Sequence, residues 1–351
     1  MGSRTTVSIW RENIMKIAID GMGGDNAPYE IVKGCIDASR IIDDELIIVG
    51  DEQRVLEALK DHKYDSARIR VVHAQDVITN DDAPVKAVRT KPESSLVKGI
   101  GMVRDGSADL FISAGNTGAI MAGSLFILGR IPGIDRPAIA ATYPIMGKGV
   151  ALLVDTGANS ECKPNNLLEF GTMGSIYMEK VLGVSHPTVG LVNIGTEETK
   201  GTTVIKAAYE LLQKSSINFI GNVEAREIPS GAADVIVCDG FVGNVIIKLS
   251  EGLAWNILKL IKSKFMSGTI PKIGALLLKG KLSELKKEFD YSEYGGAPIL
   301  GVKGAVIKIH GSSNANAVKN AILKGKPFVE NGVVQIIQNS VLELEEIVRS
   351  E

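Results

Sequence analysis

The chain has 351 residues, 45% of them hydrophobic and 23% charged, with a formal net charge of −2. That balance permits a sizeable core and supplies no global field that would draw nucleic acid. Its three cysteines, Cys35, Cys162 and Cys238, form no CxxC pair; this argues against zinc or a disulfide framework and suits a reducing cytosol.

No apolar run reaches the roughly 18 residues that span a bilayer. The length exceeds the usual limit for a single domain, so one large or two closely joined domains are expected over 15–340. Residues 1–14 lack a charged-then-apolar signal pattern and read as a cloning scar or an alternative start. The first strand, Lys16–Asp20, leads into Gly21-Met22-Gly23-Gly24-Asp25-Asn26-Ala27-Pro28 and a helix to about Arg40. This turn fails the dinucleotide fingerprint, whose third glycine would fall at Asn26. Gly147-Lys148-Gly149 is no P-loop, because the hydroxyl residue after the lysine and the earlier glycine are missing. Strands at 45–49 and 68–73 flank a helix near 51–60.

The segment 83–106 carries Arg89, Lys91, Ser94, Ser95 and Lys98. It reads as an anion clamp of fixed charge and hydroxyl donors, or as a solvated basic loop beside a helix cap. Ser94 or Ser95 would cap a helix to Arg104. A strand at 110–113 and a helix at 116–130 follow, with small residues early that let a ligand approach the backbone. The runs 138–143 and 150–154 read as an antiparallel hairpin in an otherwise alternating chain. A helix at 166–182, a strand at 188–194, a helix to about 214 and a strand at 217–221 complete this part.

The stretch 233–252 organises the rest. An apolar strand at 235–238 is followed by Asp239-Gly240-Phe241-Val242-Gly243-Asn244, read as a tight glycine turn with Asn244 as N-cap, and then by a helix. Such a turn presents backbone N–H donors at the carboxyl edge of a sheet, a geometry that binds anions. The construction recurs at 112–118, and more loosely at 155–159 and 193–196. Several strand ends are therefore expected to converge on one phosphate-like ligand.

Over 253–289, eight lysines stand against two glutamates among many Leu and Ile residues. A break at Ser267-Gly268-Thr269-Ile270-Pro271 divides this arm into two helical pieces. A basic amphipathic hairpin would lie on an anionic membrane, bind an acidic partner or pack a dimer. A loop at 291–298 precedes a strand at 305–309, which ends in His310-Gly311-Ser312-Ser313 and opens a helix at Asn314. A last helix, about 327–348, closes the chain, so that 341–351 is its end.

Asp20 through Pro28, Ser113 through Gly118, Asn193 through Gly201, Cys238 through Asn244, Glu293 through Pro298 and His310-Gly311-Ser312 together resemble the PlsX family over roughly 15–340. These are phosphate acyltransferases that make acyl-phosphate from acyl-acyl-carrier-protein and inorganic phosphate. The resemblance implies a fold like phosphotransacetylase and isocitrate dehydrogenase. That means a mostly parallel α/β sheet with helices on both faces, a small antiparallel hairpin and a protruding amphipathic arm. It further implies a cytoplasmic homodimer, peripheral to the membrane, in phospholipid synthesis, with no cofactor and no metal.

On that resemblance Lys200 would hold phosphate or neutralise the developing oxyanion, and Asn244 would donate to the same group. Asp20 and Asp25 would orient Lys200 or take a proton, and His310 is a second acid/base candidate. Ser113, Asn116, Thr117, Gly118, Asn159 and Gly243 would contact phosphate, with Arg89 and Ser94 as the clamp. Phosphate is itself the nucleophile, which fits the absence of a G-x-S-x-G elbow. Leu260, Ile261, Leu276 and Leu277, with Leu253 and Ile257, are candidates for an acyl or membrane surface. The acidic carrier would use the arm lysines, or Arg89 and Lys91. The competing expectations are acyl exchange with coenzyme A, an isocitrate-dehydrogenase-like oxidoreductase and a non-catalytic membrane scaffold.

Overall fold

The computed structural model describes residues 14–147, 149–288 and 293–340. Strand and helix alternate first as β1 (Lys16–Asp20), α1 (Tyr29–Ser39), β2 (Glu45–Gly50), α2 (Glu52–Leu59) and β3 (Ile69–His73). Then come α3 (Pro84–Thr90), α4 (Ser95–Arg104), β4 (Leu110–Ser113) and α5 (Thr117–Gly123), which runs on through a π-helical turn, Ser124–Leu128. The hairpin pairs β5 (Ala138–Ile145) with β6 (Gly149–Val154) antiparallel. Alternation resumes with α6 (Pro164–Lys180), β7 (Val189–Asn193), α7 (Thr203–Lys214), β8 (Phe219–Glu224) and β9 (Val235–Val237). The arm is α8 (Gly240–Phe265), α9 (Thr269–Leu277) and α10 (Lys279–Glu288). The chain returns through β10 (Ala297–Leu300), β11 (Ala305–Lys308) and α11 (Ala315–Glu330).

Four expectations shift. The arm holds three helices rather than two pieces: the break narrows to 266–268, with Ile270 and Pro271 already in α9, and a second break at Leu278 separates α9 from α10. β8 begins at Phe219 rather than 217. The stretch expected as a loop holds the start of β10, because Ala297 and Pro298 pair with Lys308 and Ile307 despite their turn-forming composition; residues 291 and 292 lie outside the described residues. Pro327 sits inside α11 instead of opening the last helix, which starts at 333 after Gly332 in the left-handed region (φ 60). The expected continuation past 340 lies outside the described residues.

The eleven strands form one sheet in the order β3-β2-β1-β4-β11-β10-β5-β6-β9-β7-β8. Ladders are parallel on both flanks and antiparallel at β11–β10, β10–β5 and β5–β6. Three reversals turn the second half against the first. Alternate residues serve the two faces: Ile17 and Ile19 pack into one core with Ile31 and Val318, and Ala18 into another with Leu96 and Phe111. Helices thus cover both faces, as a largely parallel sheet requires.

The halves are also staggered, and this sets the site. Ser113 pairs with Lys308, and Lys308 with Ala297. Continuing the Ile299–Ile139 register brings Ala297 level with Ala141, which pairs with Leu153 near the end of β6. Val154 in turn pairs with Val237, the end of β9. The carboxyl ends of β4, β11, β6 and β9 therefore reach one level of the sheet from opposite directions.

Away from this level α9, beyond the part of α8 that packs against β5 and β6, stands clear of the sheet. α9 buries none of its residues, and Ile270, Leu276 and Leu277 are 84%, 72% and 81% exposed. No helix among the described residues is long and apolar enough to cross a membrane.

Candidate active site

On one flank, three loops are tied together beneath the surface. Ser113 Oγ donates to Asp20 Oδ2 (2.7 Å), the Met22 amide to Asp20 Oδ1 (3.1 Å) and the Gly115 amide to Ser113 Oγ (3.0 Å). Burial pushes the Asp20 carboxyl up from its ordinary pKa, and hydrogen bonds from Ser95, Ser113, Met22 and Gly23 pull it back. A Cβ on Gly23 would stand 2.8 Å from the Gly115 nitrogen, so this closure needs glycine. The Asp25 amide donates to Gly311 O (2.8 Å), and Asn26 Nδ2 to Ser312 O and Ser313 O (both 3.3 Å), bringing in the loop after β11.

The other flank is built around Asp155. Its carboxylate accepts from the amides of Ile139 (2.9 Å), Gly157 (3.2 Å), Ala158 (3.1 Å) and Asn159 (2.7 Å), and from Asn159 Nδ2 (3.0 Å). The start of α8 seats on this loop. Its N-cap is Asp239, whose Oδ1 accepts from the Val242 amide (2.8 Å). Asn244 is therefore not the cap. An aspartate one position before the first glycine satisfies the orphan amides first, and the turn read from the glycines is already helix. That places the Asn244 side chain one turn into α8.

Between the flanks lies a cavity of about 680 Å³. Its apolar wall includes Val85, Met121, Leu125, Phe126, Ile139 and Ile247. Its polar lining includes Thr117, Asn244, Lys248, Glu251, Lys308 and His310; the last four act on one another's charge and make its polar end. Asn244, Ile247, Lys248 and Glu251 fall at helical offsets that put them on one face of α8. Lys308 closes β11, where burial and then the nearby Lys248 ammonium lower its pKa, with Glu251 opposing. His310 is likewise lowered by burial, then by Lys308 and Lys248, which favours the neutral ring. The Ser312 amide donates to His310 Nδ1 (3.2 Å). A backbone N–H can only donate, so in the neutral ring the proton sits on Nε2, and that atom is a donor.

The other sequence-predicted residues divide plainly. Thr117, Gly118, Asn244 and His310 line the cavity. Asp20 and Ser113 are its buried supports. Asn159 fixes the 155–159 loop and also donates to Pro137 O (2.8 Å). Ser94 is buried as the N-cap of α4, accepting from Val97 N. Asn116 caps α5, accepting from the Ala119 amide (3.0 Å), and donates to Thr79 O (3.2 Å). Arg89 stacks over Phe126, 5.0 Å from the ring centroid, outside the lining. Asp25 is exposed, and Gly243 packs against Asp155. Leu260, Ile261, Leu276 and Leu277 belong to the arm and do not line the cavity.

Lys200 also lies outside the lining. Its loop is held by three elements: Asn193 Nδ2 at the end of β7 donates to Lys200 O (3.1 Å), Asn222 Nδ2 of β8 to Glu197 O (3.0 Å) and Tyr209 OH of α7 to Glu198 (2.9 Å). Asp20 cannot orient it. Seven strand steps separate β1 from β7, roughly 30 Å at ordinary strand spacing. The cations that do reach the cavity, Lys248 and Lys308, were not anticipated. A signal for Lys248 existed in its offset of four from Asn244; for Lys308 it was a charge ending an otherwise apolar strand. Among the described residues no cluster of three or more His, Cys, Asp or Glu is placed to hold a metal ion.

The sequence matches the profile of the family described as "Fatty acid synthesis protein" over residues 15–336. The phosphate acyltransferase of Alkaliphilus oremlandii is 54% identical over 330 residues, spanning 94% of this chain and 98% of that protein. That of Clostridium tetani is 51% identical over 333 residues, spanning 94% and 99%. Among solved structures, a phosphotransacetylase from Streptococcus pyogenes matches with a TM-score of 0.62 at 16% identity, over 90% of this chain and 95% of that one. A 4-hydroxythreonine-4-phosphate dehydrogenase from Klebsiella pneumoniae gives 0.53 at 9% identity, over 90% and 98%. These structural likenesses concern the fold alone.

Proposed function

The chain belongs to the PlsX family of phosphate acyltransferases, and from that premise we propose that it moves the acyl group of an acyl-carrier-protein thioester onto inorganic phosphate in this cavity. The observation that carries the reading is the cavity's division into a cationic polar end and an apolar wall. One suits phosphate and the reacting carbonyl, the other an acyl chain.

The chemistry is a single displacement at the thioester carbon. A phosphate oxygen attacks the carbonyl and forms the new C–O bond, and the carbonyl oxygen gains negative charge. Collapse of the tetrahedral intermediate breaks the C–S bond, and the thiolate leaves to take a proton from solvent or a neighbouring donor. Asn244 Nδ2 and His310 Nε2 are the side-chain donors at the polar end for the developing oxyanion. With its proton on Nε2, His310 serves as a hydrogen-bond donor rather than as the base.

Purified protein given acyl-carrier-protein thioester should release free carrier only when phosphate is added. A coenzyme A thioester used equally well would favour acyl exchange with coenzyme A instead. No phosphate-dependent release from either would leave a scaffold role.

The carrier, an acidic partner, would approach over α3, where Val85 and Arg89 border the apolar end of the cavity. The arm would meet an anionic membrane surface or a second copy of the chain through its uncovered apolar residues and lysines. Co-sedimentation with anionic liposomes should fall when Leu276 and Leu277 are both changed to Glu. Binding that survives those changes removes the membrane role.

A further inference from the structure

We propose that Lys248 and Lys308 together hold the phosphate, taking the cationic role that sequence motifs give to Lys200. The inference rests on the phosphate acyltransferase reading and deepens it.

Both lysines line the cavity together with Asn244 and His310, and Lys248, Lys308 and His310 are close enough to act on one another's charge. They arrive from independent elements. Lys308 is the last residue of β11, held in register between Ser113 and Ala297. Lys248 is one helical turn beyond Asn244 on α8. Glu251 is the one carboxylate among the described residues lining the cavity, and it lies 3.4 Å from Lys248 Nζ. Two cations against one anion leave the polar end with net positive charge. Burial disfavours the Lys308 ammonium, and Lys248 disfavours it further. A dianion placed between them relieves both costs at once. A thioester carbonyl, which is neutral before attack, offers no such relief, so phosphate is the better occupant of the pair.

The alternatives are placed elsewhere. Lys200 is half-exposed beside Glu197, outside the lining, and Arg89 lies flat on Phe126. The register argument adds a reason for the arrangement. Lys308 stands level with the carboxyl ends of β4 and β6, so phosphate bound there sits where both halves of the sheet meet.

The test uses the full chain, inorganic phosphate as ligand, and Lys248→Met and Lys308→Met variants. Each charged hydrogen bond lost should raise the KM for phosphate by about 10- to 100-fold. The KM for the acyl carrier should stay within about twofold, as expected where only the phosphate contact is removed. Calorimetric binding of inorganic phosphate should weaken in step, and Lys248→Arg should restore part of it. A Lys248→Met protein with wild-type phosphate KM and affinity overturns the proposal. Because Lys248 is exposed at the cavity edge, that variant decides the matter even if Lys308→Met fails to fold. The two readings fail separately. Wild-type protein that binds phosphate through these lysines yet releases no carrier sinks the transferase reading alone. Active wild-type protein with indifferent lysine variants sinks this inference alone.

Discussion

Gly243→Ala is expected to cost about 3 kcal/mol or more of stability and to abolish turnover, at the upper end of overpacking effects. A Cβ at this position would overlap the Asp155 carbonyl oxygen, and would stand 3.0 Å from both the Asp155 carbonyl carbon and Cys238 Sγ. The first obstacle is backbone, so no rotamer change relieves it. Gly240, one turn earlier, is confined less severely: its Cβ would stand 2.7 Å from Asp155 Oδ2, 2.8 Å from Asn159 O and 2.9 Å from Asn159 N. The helix can seat on the 155–159 loop only because both positions lack side chains. Forcing them apart would lift α8, and with it Asn244 and Lys248, away from Lys308. Gly252→Ala on the same helix is the control, since nothing lies within 4 Å of its Cβ. Removing an interior helical glycine there should stabilise by about 0.5–1 kcal/mol. Denaturant midpoints of the two variants give the comparison. Equal stability of Gly243→Ala and wild type would show that the α8 seat is not as tight as this packing requires.

Asn244→Ala should leave stability unchanged and lower turnover by about 10²–10³, the usual loss for one oxyanion donor. The side chain is exposed and makes no hydrogen bond to another described residue, so folding does not depend on it. Its Nδ2 is available to the carbonyl oxygen as charge develops there. Asn244→Asp sharpens the test: it keeps the shape, removes the donor and adds repulsion toward an oxyanion and toward phosphate. It should lose at least as much as alanine. Measurement of kcat and KM for both substrates, beside melting temperatures, separates a catalytic loss from a folding one. A folded Asn244→Ala protein within about threefold of wild type would remove the residue from oxyanion stabilisation.

Much of this site was legible in local sequence. The glycine turns after β1, β4 and β6 are strand-to-helix connections, the glycines after β9 form the first turn of α8 instead, and Thr117, Gly118, Asn244 and His310 do line the cavity. Small polar residues carry two meanings in sequence. Asp20, Ser94, Asn116 and Asn159 have the same sequence appearance as ligand contacts. Each instead satisfies backbone or side-chain groups in its own or a neighbouring loop. Asp20 meets Ser113, 93 residues away, and Asn116 meets Thr79, 37 residues away. Partners so distant cannot be assigned from spacing. Lys200 is placed apart for another reason. It follows a strand end, as the anion-binding pattern demands, but Asn222 of β8 and Tyr209 of α7 hold its loop outside the cavity lining.

Composition, strand and helix periodicity and the clustered glycine motifs determined the class of fold, the hairpin, the exposed arm and the family. Those signals are short-range, carried by residues within a turn or a strand of one another. Strand order, the reversal at the hairpin and the stagger that brings opposed carboxyl ends to one level were decided only by the tertiary structure. So was the choice of Lys248 and Lys308 over Lys200 as the cavity's cations. Charge acts through space, and residues 60 positions apart in sequence become neighbours only once the sheet has set its register.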